Sequence, residues 1–182
     1  MCSQAVNSSC KVHQGFLNVY SSISEAVLNG TSLLVAKYLF RRPQLLVTGH
    51  SLGGAASILC SVDASLRFGS QLSDIVVYTY GEPRVGNPAW TQWVTESILQ
   101  GSRQFRLTHK ADPVPRLPPL EFGFLHVPHE LWYNNDAAGD NYRNCTDTAF
   151  EEDYSCDDSQ IAFAVQDHLL YLGVHAGCNM NG

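Results

Sequence analysis

The chain has 182 residues, of which 45% are hydrophobic and 15% are charged. It is long enough for one globular domain with a sizeable core and too short for two. Its net charge of -6 argues against a nucleic-acid partner. No run of about 18 or more apolar residues occurs, so we predict no transmembrane segment.

The first third of the chain predicts a helix, a strand and a second helix. From residue 16 to about residue 40, apolar side chains recur at helical spacing. Asn29 and Gly30 interrupt this pattern, so we expect either one kinked helix or two helices. Residues 45–48 are a short apolar run that predicts a buried strand, and residues 52–67 predict the next helix.

The rest of the chain continues the alternation of strands and helices. The next predicted elements are a strand at residues 74–80, a helix at 88–99, a strand at 104–108 and a last helix at 161–172. Residues 110–160 between them are rich in loops. Because strands and helices alternate, we expect a mostly parallel sheet with helices on both faces.

The most informative motif joins the first predicted strand to the second predicted helix. Residues 49–53 read Gly-His-Ser-Leu-Gly, which is the G-x-S-x-G pattern of a nucleophile elbow. The serine of such a turn exposes its hydroxyl, and the flanking glycines avoid clashes with the neighbouring strand and helix. The strand before the motif and the helix after it are the required context, so we predict that Ser51 is the nucleophile of a serine esterase.

A serine nucleophile needs a general base and a carboxylate that orients the base. In α/β-hydrolases these follow the serine in the order acid, then histidine. We predict His168 as the base, since the gap after Ser51 is long enough for the strand and loop that carry the acid. Asp112 directly follows the third predicted strand and is the predicted acid, with Glu82 as the second candidate.

The other titratable residues are expected to be structural. His50 lies inside the elbow, and His126 and His129 are expected in a loop, where they make a poor metal pair. The loop acids, including Asp136, Asp147, Asp153, Asp157 and Asp158, are expected to be solvated. We expect neither a metal ion nor a cofactor.

The oxyanion of an ester reaction needs hydrogen-bond donors. The N–H of Leu52 follows the nucleophile at a helix N-terminus and is one predicted donor. A second donor normally comes from a loop before the elbow, and residues 1–43 contain no obvious strand-and-loop unit for that task.

The cysteines favour an oxidised protein. There are six, namely Cys2, Cys10, Cys60, Cys145, Cys156 and Cys178. Cys145 and Cys156 flank a polar, acidic segment, and a short disulfide there would stabilise a part of the chain that has no apolar core. Cys2 and Cys10 could form a short disulfide in the same way. Cys60 lies in an apolar helical stretch, which predicts a buried free thiol. Asn-x-Ser/Thr triplets at Asn7, Asn29 and Asn144 add mild support for secretion, although the first residues do not form a signal peptide.

Several motifs taken together resemble the class 3 fungal lipases, most of all the triacylglycerol lipases of the Rhizomucor and Rhizopus type. The motifs are residues 11–17, 49–54, 80–86, 112–119, 122–126 and 167–173. The resemblance covers nearly the whole chain from Cys10 onward. It implies the α/β-hydrolase fold and a secreted triacylglycerol lipase that acts at a lipid–water interface through Ser51, Asp112 and His168.

The resemblance also implies roles that the residues alone do not give. It implies that Val114, Leu117 and Leu169 line the acyl-binding groove. It further implies a disulfide between Cys145 and Cys156.

The chain departs from that family at its start. The family has further N-terminal strands, a lid helix and a second oxyanion donor. Its last cysteine forms a disulfide with a cysteine near the N-terminus, and in this chain Cys2 is the candidate partner for Cys178. We therefore expect residues 1–182 to be a single, N-terminally truncated α/β-hydrolase domain. Loss of one oxyanion donor costs about 2.7–4 kcal/mol of transition-state stabilisation, so we expect weak activity. An exposed sheet edge and an apolar face predict poor solubility.

Two alternatives remain at this point. One is a feruloyl esterase of the same fold. A comparison of the turnover of glycerides with that of methyl ferulate would distinguish it from a lipase. The other is a catalytically weak, lipid-binding remnant, whose lipid binding does not depend on Ser51.

Overall fold

The computed structural model describes residues 9–99, 103–136, 139 and 141–176. Within these residues the α-helices are α1 (Gln14–Tyr38), α2 (Leu52–Phe68), α3 (Pro88–Trp93) and α4 (Val165–His168). The strands are β1 (Gln44–His50), β2 (Asp74–Tyr80), β3 (Arg103–His109), β4 (Glu130–Tyr133), β5 (Arg143–Asn144), β6 (Leu170–Tyr171) and β7 (Val174–His175). The expectations for Cys2, Asn7 and Cys178 lie outside the described residues.

The described strands form a mostly parallel sheet, as predicted, in the order β1-β2-β3-β4-β5. β1 to β4 pair in parallel, and β5 is antiparallel to β4. The register places His50 opposite Tyr80, and Tyr80 opposite Leu107. The residues that follow β1, β2 and β3 therefore meet at one edge of the sheet, which is where open α/β sheets place their sites.

Helices α1, α2 and α3 pack together on one face of the sheet. Fully buried apolar side chains of α2 contact Tyr20 of α1 and Trp90 of α3. A second cluster joins Leu28 and Val35 of α1 to Val77 of β2. None of the helices in the described part of the chain has both the length and the apolar character needed to cross a bilayer.

The first helix resolves the alternative that the sequence left open. α1 is one continuous helix that runs through Asn29 and Gly30. Leu28 and Val35 flank these residues and are buried, at 3% and 4% exposure. Their packing outweighs the roughly 1 kcal/mol that a glycine costs inside a helix.

The predicted last helix at residues 161–172 is wrong. Only Val165–His168 is helical, and a short β6–β7 hairpin follows. Leu172 and Gly173 join its strands with φ values of 53° and 77°, which suits a tight two-residue turn. The hairpin places Tyr171 over Tyr80 and Leu107 on the sheet face opposite α1 to α3.

The loop acids at residues 147–158 are not all solvated, which corrects the expectation for Asp147, Asp157 and Asp158. The side chain of Asp147 is 1% exposed and forms an ion pair with Arg106, which also pairs with Glu130. Asp157 is likewise buried.

A second buried arginine accounts for Asp158. Arg84 donates to Glu152 at 2.7 Å and to Asp158 at 2.8 Å. Charged side chains thus fill part of the interior beside β3 and β4, and apolar patterning alone does not predict such burial.

The disulfide between Cys145 and Cys156 is present, which confirms the pairing that the resemblance implied. It connects the end of β5 to the buried acids, since Asp157 directly follows Cys156. Among the described residues, Cys10 and Cys60 are free thiols, and both are partly buried.

Replacing both Cys145 and Cys156 by serine should lower the free energy of unfolding by about 3 kcal/mol, because the unfolded chain gains the entropy of an open loop. Denaturant unfolding measures this change. Cys10→Ser, which removes a free thiol, is the matched control and should cost far less. Equal stabilities of the double variant and the native chain would contradict the expectation.

Candidate active site

Ser51 lies at the tip of a sharp turn between β1 and α2. Its backbone has φ 56° and ψ -127°, a conformation that a non-glycine residue rarely adopts. Its N–H donates to the carbonyl of Tyr80 at 2.9 Å, which fixes the turn to the end of β2. A Cβ at Gly49 would lie 2.2 Å from the carbonyl oxygen of Gly53, so the turn requires glycine there. This is the geometry of a nucleophile elbow.

The structure brings the three residues of the predicted triad together. His168 Nε2 lies 2.8 Å from Ser51 Oγ, and His168 Nδ1 lies 2.9 Å from Asp112 Oδ2. A carboxylate only accepts hydrogen bonds, so Nδ1 carries the proton and Nε2 is the acceptor for the serine hydroxyl. The arrangement can remove a proton from Ser51 while a carboxylate orients the imidazole.

Asp112 is fully buried, and both of its oxygens accept hydrogen bonds. Oδ1 accepts from the N–H of Val114 at 2.8 Å, and Oδ2 accepts from the hydroxyl of Tyr171 at 2.6 Å as well as from His168. Burial raises the pKa of the Tyr171 hydroxyl well above its usual value, and the charge of the nearby Asp112 carboxylate raises it further. The hydroxyl therefore remains a donor. The buried carboxylate is therefore well satisfied by donors.

His50 supports His168 from inside the elbow, which fits its expected structural role. Its Nε2 donates to the carbonyl oxygen of His168 at 2.8 Å, and the two rings lie 4.5 Å apart. Desolvation lowers the pKa of His50, which favours a neutral ring beside His168.

His109 and Asp167 connect the loop of Asp112 to α4. His109 Nδ1 lies 2.9 Å from the carbonyl oxygen of Asp167, and Asp167 Oδ2 accepts from the N–H of Ala111 at 3.1 Å. The carbonyls of Asp167 and His168 thus bond to side chains of the site rather than to a following helical turn. This explains why α4 ends at His168 and why the predicted longer helix is wrong.

Glu82, the second candidate for the acid, does not contact His168. It is 2% exposed and lies beneath Gly54, where a Cβ on the glycine would be 3.1 Å from the Cβ of Glu82. Burial raises its pKa from 4.5 to about 7, although a hydrogen bond to Thr79 and the charge of Arg106 oppose the shift.

Glu82→Gln should keep esterase activity and change the pH dependence of stability. The folded state holds the Glu82 proton up to about pH 7 and the unfolded state only up to about pH 4.5, so the contribution of this group to stability falls as the pH rises through that window. Glutamine mimics the protonated form. Relative to the free energy of unfolding of the native chain, that of Glu82→Gln should therefore rise by about 3 kcal/mol between about pH 4.5 and about pH 7 and stay constant above this range. Denaturant unfolding at a series of pH values tests this, and a flat difference would contradict it.

The residues predicted to bind substrate differ in their exposure and in their distance along the chain from the triad. Leu52 is residue N1 of α2, so its N–H has no acceptor within the helix. Leu117 is 45% exposed and lines a cavity of about 310 Å³ together with Pro119 and Phe163. Val114 lies two residues after Asp112, Leu169 directly follows His168, and both are half-buried. Their lining of an acyl groove stays a prediction.

Other apolar surface lies close to the triad. A cavity of about 250 Å³ is lined by His50, Tyr80, Tyr171, Leu172, Val174 and Ala176. Ile161 and Phe163, which precede α4, are 94% and 71% exposed.

Sequence reasoning missed Tyr171 and Gly81 as parts of this site. Tyr171 follows His168 by three residues, and its spacing is consistent with the wrongly predicted helix as well as with the observed hairpin. Gly81 directly follows β2 with φ 58°, and a Cβ there would lie 2.9 Å from Asp112 Oδ2. A glycine at the carboxyl end of a strand was the available signal. His126 lies in a loop, as expected, but it is buried rather than at the surface, with Nε2 2.7 Å from the carbonyl oxygen of Pro115.

Comparisons with known proteins identify relatives of this chain. Residues 1–122 match the family model for class 3 lipases. A lipase of Rhizomucor miehei is 37% identical over 172 residues, which are 93% of this chain and 45% of that protein. A secreted mono- and diacylglycerol lipase of Fusarium solani is 34% identical over 174 residues, covering 93% of this chain and 49% of that protein.

Solved structures show the same likeness. A lipase from Rhizopus microsporus var. chinensis superposes with a TM-score of 0.81 at 34% identity, covering 93% of this chain and 56% of that one. A triacylglycerol lipase whose catalytic centre is described as a serine protease triad superposes with a TM-score of 0.77 at 33% identity, covering 96% of this chain and 64% of that one. These similarities confirm the predicted α/β-hydrolase fold.

The extent of the matches differs between this chain and its relatives. The chain spans about half the length of the curated relatives that it matches. The family model, in contrast, covers about two thirds of the chain, including the elbow and Asp112. On this match the chain belongs to the class 3 lipase family.

Proposed function

We propose that this chain hydrolyses carboxylic esters of acylglycerols, with Ser51 as nucleophile, His168 as general base and Asp112 as the orienting acid. The observation that carries the proposal is the continuous hydrogen-bond chain from Ser51 through His168 to Asp112. It starts at a serine whose backbone has the strained geometry of an elbow.

The geometry supports a two-step reaction through an acyl-enzyme. Ser51 Oγ attacks the ester carbonyl carbon while its proton moves to His168 Nε2. The same proton then passes to the leaving alkoxide as the ester bond breaks, which releases the alcohol and leaves the acyl group on Ser51. Water then gives a proton to His168 Nε2 and attacks the acyl carbon. His168 returns this proton to Ser51 Oγ as the bond between the acyl carbon and Oγ breaks, which releases the fatty acid and restores the hydroxyl of Ser51.

The negative charge of each tetrahedral intermediate needs a donor close to Ser51. We assign one such donor to the N–H of Leu52, since it follows the nucleophile and lies at the N-terminus of the 17-residue α2. Leu52 is 45% exposed, so the start of α2 lies at the surface, where a substrate can reach it.

Acylglycerols are the proposed substrates because of the relatives and of the surface around the triad. The similar proteins are named lipases, and among them are a mono- and diacylglycerol lipase and a triacylglycerol lipase. The exposed apolar side chains of Leu52, Leu117 and Phe163 suit acyl chains presented at a lipid–water interface.

The purified chain should release acid from tributyrin and react at Ser51 with a fluorophosphonate. Mass spectrometry of the labelled peptide identifies the modified serine. Methyl ferulate is the comparison substrate, and a higher turnover on it would replace the acylglycerol proposal by a feruloyl esterase. Binding of lipid vesicles without turnover of either ester, and without labelling, would contradict an esterase altogether.

We also propose that the described elements form one domain. A single sheet supports α1 to α3 on one face and the hairpin on the other. One cooperative transition in calorimetry supports this, and two separate transitions would contradict it.

The disulfide supports a location in an oxidising compartment, and the Fusarium solani relative is named a secreted lipase. We therefore propose that the native protein is secreted. Detection of the oxidised chain in the culture medium of its host supports secretion, and retention of the chain inside the cell argues against it.

A further inference from the structure

We propose that Arg116 is a positioning residue that holds the loop of Asp112 against the segment leading to His168. This inference rests on the proposed function, since it concerns the geometry of the same triad. Arg116 contacts neither Ser51 nor His168 directly, so its effect passes through the two loops that it joins.

The guanidinium of Arg116 donates to carbonyl oxygens on both loops. On the Asp112 side, Nη2 donates to Ala111 at 3.0 Å and to Asp112 itself at 3.3 Å. On the other side, Nη2 donates to Ala162 at 2.7 Å and Nη1 to Gln160. One side chain therefore spans the gap between the acid of the triad and the segment that precedes its base.

The two loops need such a connection because neither has much regular structure. Asp112 lies in a turn that follows β3, and residues 160–164, which precede α4, are neither helix nor strand. Two further bonds cross the same gap, from the N–H of Ala164 to the carbonyl of Ala111 and from the N–H of Ala111 to Asp167. Arg116 adds the N–H donors of its planar guanidinium to these two hydrogen bonds.

The surroundings of Arg116 hold its side chain in place. The side chain is 10% exposed, with Nε 3.8 Å from a carboxylate oxygen of Asp157. The ring of Phe163 lies over the guanidinium at 4.6 Å. Since Asp157 follows Cys156, the disulfide also anchors this carboxylate.

A lysine does not replace this arrangement. Its ammonium is a compact charge, whereas the guanidinium presents five N–H donors in a rigid plane that matches carbonyls on two sides. Arg116→Lys keeps the positive charge but cannot donate to the carbonyls of both loops at once. It therefore separates the role of hydrogen-bond geometry from the role of charge.

Arg116→Ala should lower kcat for a soluble ester by ten- to a hundredfold, with KM within about threefold, because a shift of about 1 Å in the triad has effects of this size. Rates are expressed per active site titrated with a fluorophosphonate, which removes any loss from misfolded protein. Added guanidinium should restore part of kcat to Arg116→Ala, and Arg116→Lys should remain impaired. Arg143→Ala is the matched control, since the side chain of this exposed arginine donates to Ser155, and the change should leave kcat unchanged.

Unchanged kcat per titrated site in Arg116→Ala would overturn the proposal, and so would full activity in Arg116→Lys. If the alanine variant does not fold, the lysine variant alone decides. If the native chain neither turns over esters nor reacts with the fluorophosphonate, the proposed function fails by itself. The low-field ¹H NMR signal of the His168–Asp112 hydrogen bond then tests Arg116 independently: its loss in Arg116→Ala supports the positioning role, and its persistence overturns it.

Discussion

Ser51→Ala is expected to lower kcat by about 10⁴- to 10⁶-fold, an effect that only the loss of another triad residue should match. The variant retains His168, Asp112 and the N–H of Leu52 but has no oxygen to form the acyl-enzyme. Because Ser51 Oγ makes one hydrogen bond at a partly exposed position, the free energy of unfolding should change little. Initial rates on tributyrin and denaturant unfolding measure the two quantities.

Ser61→Ala is the matched control for this change. Ser61 also lies on α2, ten residues and nearly three helical turns after Ser51. Its buried Oγ donates to the carbonyl of Ile58 within the helix. It should keep its activity at some cost in stability. Combining Ser51→Ala with His168→Ala should cost little more than Ser51→Ala alone, because the residues of a triad act as a unit. Substantial residual turnover in Ser51→Ala would show that another group carries the chemistry.

The elbow and the order of its partners follow from the sequence because they depend on local rules. The tight strand-to-helix turn at Ser51 needs Gly49, whereas a Cβ at Gly53 would meet no heavy atom within 4 Å, so the clash expected there is wrong. Both flanking elements have clear apolar periods. Asp112 lies three residues after the end of β3, so the parallel sheet brings it to the edge where β1 ends. The observed contacts of Ser51, His168 and Asp112 agree with that reasoning.

The segment around His168 was not predictable in the same way. Residues 161–172 have a helical pattern of apolar residues, yet the carbonyl of His168 accepts from His50 and that of Asp167 lies beside His109. These partners are 118 and 58 positions away in the chain. A local pattern contains no information on such distant hydrogen bonds, and here they determine where α4 ends.

The buried acids depend on distant partners in a similar way. Asp147 and Asp157 lie in a polar segment, which is typical of a solvated loop. Asp147 pairs with Arg106 in the middle of β3. Burial raises the pKa of Asp157 to about 8, although Arg116 of the Asp112 loop lies 3.8 Å away. A charged residue is buried only where a partner compensates for its desolvation, and the sequence does not identify that partner.

Gly81→Ala is expected to lower kcat by about 10²- to 10⁴-fold by separating Asp112 from His168. A Cβ at Gly81 would lie 2.9 Å from Asp112 Oδ2, 2.9 Å from His168 Nδ1 and 3.0 Å from His168 Cε1. The methyl group would therefore press on the hydrogen bond between the acid and the base. Gly81 cannot easily retreat, since its N–H donates to the carbonyl of Leu107 at 3.0 Å. The upper limit corresponds to a triad that loses the orientation of its histidine.

Backbone strain and collision with the triad can be separated by a second glycine. Gly81 and Gly123 both have positive φ, at 58° and 78°, but a Cβ at Gly123 would meet no heavy atom within 4 Å. Each alanine variant should lose about 1–2 kcal/mol of stability from the left-handed backbone, and only Gly81→Ala should also lose turnover. Rates per titrated active site, with unfolding curves for both variants, make the comparison. If the two variants lose activity equally, strain alone explains the result, and the contact of Gly81 with Asp112 and His168 has no part in it.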